Sequence, residues 1–130
     1  MQRKLIAALG GIAILASAAP AQTGPTDGAQ QAAAGAKIYA GQCAACHGDA
    51  LEGGAGPALN DAAYQAQWNG HPARELYDRI IDTMPADNPG SLKPDETIAL
   101  AMFLQKANGG QVPAKAITDP DGLKAVTLSK

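Results

Sequence analysis

The apolar positions of this chain come in short runs with helical spacing, separated by stretches rich in glycine and proline. Residues 28–42 are rich in alanine and glutamine, which cost little in a helix, and Ala32, Ala36, Tyr39 and Ala40 can share one face. Asp61 stands where a cap is needed for a short helix over 62–68, and Asn69-Gly70 breaks that segment. His71-Pro72 opens the next helix, with Pro72 at the first helical position and Leu76, Tyr77 and Ile80 as the buried stripe. Thr83-Met84-Pro85 ends it, because the residue before a proline is steered away from helical backbone. Pro94-Asp95-Glu96 reads as the first turn of a last helix, with acids where the helix dipole favours them. Along 94–107, Ile98, Ala101, Met102 and Gln105 mark one stripe and Leu100, Phe103 and Leu104 its neighbour, before Asn108-Gly109-Gly110 stops the helix. The tail, 111–130, carries Val112, Ile117, Leu123, Val126 and Leu128 around two prolines, and reads either as an extended strap or as a frayed end. No sustained period-two alternation is present. The pattern predicts an all-α class of three to four short helices joined by glycine-rich loops.

The first residues have a different character. Gln2-Arg3-Lys4 is basic, residues 5–19 are apolar apart from glycines and Ser17, and Ala19-Pro20-Ala21 supplies small residues for a signal peptidase. This is the three-part layout of a secretory leader, with cleavage expected after Ala21. A retained anchor needs about 20 apolar residues, and this run is shorter and ends at a proline. The expected location is therefore periplasmic, with no stable membrane insertion after cleavage. The full chain has 10 basic and 12 acidic residues; losing Arg3 and Lys4 leaves 8 against 12, a formal charge of −4. A mildly acidic domain does not suit nucleic acid, which demands basic patches. It is compatible with a protein partner that presents a basic docking face.

Composition poses a packing problem. The chain has one Phe, one Trp and three Tyr, and much of its apolar content is alanine. Such a core is thin for a domain with long loops, and a large apolar cofactor at its centre would fill it.

Cys43-Ala44-Ala45-Cys46-His47 is an attachment sequence for such a group. C-x-x-C-H reads as a c-type haem site. Residues i, i+3 and i+4 of a helical turn lie on one side, so two thiols can meet the two vinyl groups of a porphyrin while the histidine reaches the iron. Three other readings compete. A thioredoxin-like redox pair needs a strand–helix context that is missing. A structural zinc needs four ligands, and only Cys43, Cys46, His47 and His71 are available at a loose spacing. Chance occurrence fits poorly behind an export signal in an oxidising compartment.

His47 is then the expected proximal ligand, and its second ring nitrogen needs an acceptor that the residues alone do not name. Three methionines could supply the sixth ligand, with His71 as an outsider, and of these Met1 belongs to the leader. Met102 lies mid-helix, where methionine is usually core filler. His71 precedes Pro72 at a helix start and reads as a cap or a solvated residue. Met84 stands at a helix end with its backbone held extended by Pro85, and is favoured. Its thioether is soft and neutral, favours ferrous iron and raises the reduction potential. An iron closed by His47 and Met84 carries single electrons rather than activating substrate. The alternative is a haem-based sensor or ligand-binding protein with an open or labile iron; a peroxidase is disfavoured because no arginine or histidine is clearly placed on the distal side. Trp68, Arg74 and Arg79 could hold haem propionates, although the arginines read more simply as a solvated helix face.

With these residues, the chain resembles a class I monohaem c-type cytochrome. Gly35, Tyr39, Cys43-Ala44-Ala45-Cys46-His47-Gly48, Gly56-Pro57-Ala58-Leu59, Met84-Pro85 and Phe103 fall in that family's order. The resemblance implies a cytochrome c fold wrapped around one covalently attached haem c, with the first and last helices crossing through Gly35 and Phe103. It also implies that the Pro57 carbonyl accepts the hydrogen bond from His47. Residues 84–92 and the helix ending at Asn108-Gly109 are similar to cytochrome subunits and domains of quinoprotein alcohol dehydrogenases. That likeness implies an electron carrier and not an enzyme by itself, with a dehydrogenase as donor and a terminal oxidase or other cytochrome as acceptor. The expected organisation is a leader at 1–21, a linker and the start of the first helix at 22–34, a cytochrome c domain at 35–109 and a C-terminal extension at 110–130.

Overall fold

The structure, a computed structural model, describes residues 24–130. The expected leader and its cleavage site lie outside the described residues. Five α-helices follow in order: α1 Gly28–Gln42, α2 Ala44–His47, α3 Ala62–Trp68, α4 Ala73–Thr83 and α5 Pro94–Ala107, with a 3-10 turn at Pro120–Ala125. No strand is present among the described residues, only an isolated antiparallel bridge between Pro72 and Thr127. The architecture is all-α, as the spacing of apolar positions implies.

Local chemistry sets the helix ends. Asp27 accepts a hydrogen bond from the Gln30 N–H at 2.8 Å and caps α1, and Asp61 does the same for α3 through the Tyr64 N–H at 2.8 Å. The Glu96 carboxylate reaches back to the Lys93 N–H at 2.9 Å and closes the first turn of α5. Pro72 sits one position earlier than its expected place. It is the cap of α4, with extended backbone, because the next N–H, that of Ala73, is drawn to the Val126 carbonyl at 2.7 Å.

Helices α1 and α5 make the most extensive packing contact of the fold. Their crossing is set at Gly35, where an added Cβ would overlap the Ala99 carbonyl and come within 2.8 Å of the Phe103 Cβ. Tyr39 and Phe103 then meet with ring centroids 5.1 Å apart, a favourable tilted geometry. The expected α1 face shifts accordingly. Gly28, Gln31, Ala32, Gly35 and Tyr39 are buried, whereas Ala40 is exposed and Ala36 only half-buried, because the crossing is centred on Gly35. Ile98, Leu100 and Met102 of α5 are fully buried together with Leu123 of the tail.

The tail is a strap. Gln31 holds it to α1 by donating to the Ile117 carbonyl at 2.6 Å and accepting from the Ile117 N–H at 3.0 Å. Gln105 accepts from the Ser129 N–H at 3.1 Å and donates to the Thr127 carbonyl at 3.2 Å. Leu128 exchanges backbone bonds with Gly70 and His71, so the strap closes over the start of α4.

Candidate functional site

Cys43 ends α1 and begins α2. Its carbonyl accepts from the His47 N–H at 2.9 Å, which winds Cys43-Ala44-Ala45-Cys46-His47 into a single helical turn. Gly48 ends that turn at φ +85°, a left-handed conformation that favours glycine. The chain then folds back over α2. Gly53 donates to the His47 carbonyl at 2.7 Å, Gly56 to the Cys46 carbonyl at 2.8 Å and Leu59 to the Leu51 carbonyl at 2.8 Å. Tyr39 anchors the start of this loop by donating its hydroxyl to the Gly48 carbonyl at 2.7 Å. Asn108 anchors its end by donating to the Leu59 carbonyl at 3.0 Å, while Gln65 of α3 donates to the Asn108 side chain at 2.6 Å.

His47 is buried, with its Nδ1 2.8 Å from the Pro57 carbonyl. A carbonyl only accepts, so Nδ1 carries the proton and Nε2 keeps its lone pair for a metal. The loop passes so close that a Cβ on Gly56 would lie 2.9 Å from the His47 Cε1. Only a glycine there lets the Pro57 carbonyl reach the ring edge without displacing it.

Around His47 lies an open cleft of about 210 Å³. Tyr39 and Cys43 line it from α1, Pro57, Ala58 and Leu59 from the loop, Tyr64 and Trp68 from α3, Leu76, Arg79 and Ile80 from α4, and Leu100 and Leu104 from α5. Met84 completes the lining from the end of α4, where its backbone is extended (φ −121°, ψ 151°). Thus Cys43, His47 and Met84 meet at one cleft. Cys46 lies outside the lining and is exposed.

The other candidates are elsewhere. Met102 is fully buried in the helical core, and His71 is exposed with its Nδ1 2.8 Å from Glu75. Arg74 donates to Asp78 at 2.8 Å and to Asp121 at 2.9 Å, which removes it from the cleft. Trp68 and Arg79 do line the cleft. Tyr64 and the clamp through Asn108 were not legible as site residues in the sequence; Asn108 reads there only as a helix stop.

The surroundings disfavour the competing thiol and zinc chemistries. Burial, then the neighbouring Cys46, pushes the Cys43 thiol up, whereas a reactive CxxC thiol is held low. Among the described residues no three His, Cys, Asp or Glu side chains cluster as a metal site would require. A haem, by contrast, suits the donor set: a mostly apolar cleft, a histidine with one ring nitrogen fixed, a thioether and a thiol on one wall.

This fold and site define a c-type cytochrome. Residues 30–104, more than half of the chain, match the family described as cytochrome c oxidase, cbb3-type, subunit III, and the chain belongs to that family. The crystal structure of the sulfane dehydrogenase SoxCD from Paracoccus pantotrophus is similar over 92% of this chain and 67% of that one, with 26% sequence identity and a TM-score of 0.58. No curated protein matches. The family implies haem c as the cofactor and electron transfer as the role.

Proposed function

We propose that this protein is an exported, periplasmic carrier of single electrons, with one haem c joined through Cys43 and Cys46 and its iron held by His47 and Met84. One observation carries the reading: Met84 lines the same cleft as Cys43 and His47, although 37 residues separate it from His47. Bound there, haem c supplies a one-electron ferric/ferrous couple. The chain supplies the rest. The Pro57 carbonyl keeps the proton on Nδ1 and the ring in one orientation. The Met84 thioether is neutral and soft, which favours the ferrous state. The apolar walls exclude water and favour the state of lower net charge. With His47 and Met84 both holding the iron, electron transfer would require no ligand to leave.

Export rests on the leader-like residues 1–21. A dehydrogenase donor rests on two likenesses: the quinoprotein-type pattern around Met84, and the structural similarity to a sulfane dehydrogenase. A terminal oxidase or another cytochrome is the expected acceptor. The sensor reading draws on the exposed loop that follows Met84, since a loosely held ligand would open the iron.

The test is an optical spectrum of the exported protein, oxidised and reduced, followed by carbon monoxide. Sharp reduced haem-c bands, a weak methionine–ferric band and resistance to carbon monoxide are expected. Ready carbon monoxide binding would replace the carrier by the sensor. Absence of haem from a competent host would overturn both.

A further inference from the structure

We propose that Leu123 is a positioning residue for Met84: through it the C-terminal strap sets α4 against the α1–α5 pair and so fixes where the thioether stands in the cleft. This deepens the reading of Met84 as an axial ligand and rests on it.

Helix α4 carries Met84 at its C-terminal cap, and Leu76 and Ile80 on the cleft wall. Beyond Met84 the chain offers little support, since its backbone bonds are short-range and residues 86–91 are exposed. The seating of α4 is therefore decided along the helix and at its N-terminal end. No side chain caps that end. The strap does so instead, with the Val126 carbonyl accepting from the Ala73 N–H at 2.7 Å. Leu128 donates to the His71 carbonyl and accepts from the Gly70 N–H, each at 2.8 Å. Along its length α4 packs chiefly on two elements, α5 and the 3-10 turn of the strap, to a similar extent.

Leu123 is the one buried residue of that turn and has no exposed surface, so the packing of turn on helix centres on it. On α4, Ala73 and Tyr77 lie one helical turn apart and are buried without lining the cleft. The helix thus has a second apolar stripe besides the one on the cleft. The strap is itself tied to the other helices. Gln31 of α1 holds Ile117 by two hydrogen bonds, and Gln105 of α5 holds Thr127 and Ser129. Leu123 lies between these two ties. Helices α1 and α5 also fix the histidine side, because α1 runs into Cys43 and Asn108 at the end of α5 holds the loop. The strap therefore refers Met84 to the same two helices that position His47. Shortening a buried leucine leaves a cavity into which neighbours relax only partly. Here the neighbour with a weakly tied far end is α4, and Met84 is at that end.

The experiment uses the exported, haem-loaded protein. Leu123→Ala is expected to keep its covalently attached haem, to lose most of the weak methionine–ferric band and to have a lower midpoint potential. It should also bind carbon monoxide faster by about tenfold or more. Leu123→Val should shift all three readouts in the same direction by less, and Leu123→Met, which keeps the volume, should stay near the parent. Val112→Ala is the control. It shortens a half-buried residue at the α1 end of the tail, where the Pro113 carbonyl accepts from the Gly28 N–H at 3.0 Å. It should lower the unfolding midpoint without moving the band. A merely structural Leu123 would do the same, so lower stability with parental band, potential and carbon monoxide resistance in Leu123→Ala overturns the inference. An equal spectral shift in Val112→Ala would also overturn it, since any loss of stability would then suffice. If Leu123→Ala fails to mature, Leu123→Val decides. A parent without the methionine band, or open to carbon monoxide, would instead remove the ligand reading of Met84, and this inference with it.

Discussion

The two sides of the cleft are held in different ways. On the histidine side, the loop after α2 is tied by bonds that cross the fold: Tyr39 to Gly48, Asn108 to Leu59 and His47 to Pro57. On the methionine side, the backbone bonds are short-range. Met84 donates to Ile80 at 2.9 Å, Asn88 to Pro85 at 2.9 Å and Ser91 to Asn88 at 3.3 Å, and residues 86–91 are exposed. Local bonds on an exposed loop open at less cost than bonds that pin one element to another. The histidine side is thus built to persist, and any lability of the site falls on Met84.

Substitutions at the two ends of the cleft sharpen this contrast. His47→Ala is expected to have the largest effect, abolishing the haem-c optical spectrum of the exported protein. Met84→Ala is expected to retain covalently attached haem on a denaturing gel while lowering the midpoint potential and admitting carbon monoxide. Equal loss of haem in both variants would erase the asymmetry. Gly56→Ala probes how tightly the loop grips the ring: its Cβ would lie 2.9 Å from His47, and the overpacking should cost about 1–3 kcal/mol in denaturant unfolding. Gly56 is not at positive φ, so Gly41→Ala, whose added methyl group meets no atom within 4 Å and which is likewise not at positive φ, is the control without the contact.

The smallest expected effect is at high pH. Tyr39 is pushed up to about 12, first by burial and then by the neighbouring Cys43, Glu52 and Asp49. The folded protein therefore holds this proton more tightly than the unfolded chain, whose phenol titrates near 10. Its contribution to stability is complete below pH 10 and is lost as pH rises from 10 towards 12. Unfolding midpoints measured across that window should fall for the parent and fall less for Tyr39→Phe, which should also lose about 1 kcal/mol at neutral pH with the Gly48 hydrogen bond. Parallel curves would remove Tyr39 as the group responsible.

Much of the secondary structure was readable along the chain. The bounds of α1, α3 and α5, the Asp61 cap, and the stops at Asn69-Gly70 and Asn108-Gly109 depend on residues within a few positions of each other, so local preference suffices. The cysteine–histidine turn is local in the same sense. The shift of Pro72 from first helical residue to cap was not readable, because it depends on Val126, more than fifty positions away.

The same division runs through the cleft. Residue type and local context marked Cys43, Cys46, His47 and Met84 as a set, but the meeting of Cys43, His47 and Met84 at one cleft depends on the α1–α5 crossing at Gly35 and on the path of the chain through α3 and α4. No local pattern distinguishes Arg74 from Arg79, five residues apart on one helix. Packing separates them: one meets Asp78 and Asp121, the other lines the cleft. The tail likewise read equally as a strap or a loose end, and its seating turns on Gln31 and Gln105, each buried far along the chain from the backbone it holds. Helix periodicity, caps and the cysteine–histidine turn are properties of neighbouring residues and belong to the sequence. Which side chains find partners, and which are left facing the cleft, follows from distances between remote segments that exist only once the chain has folded.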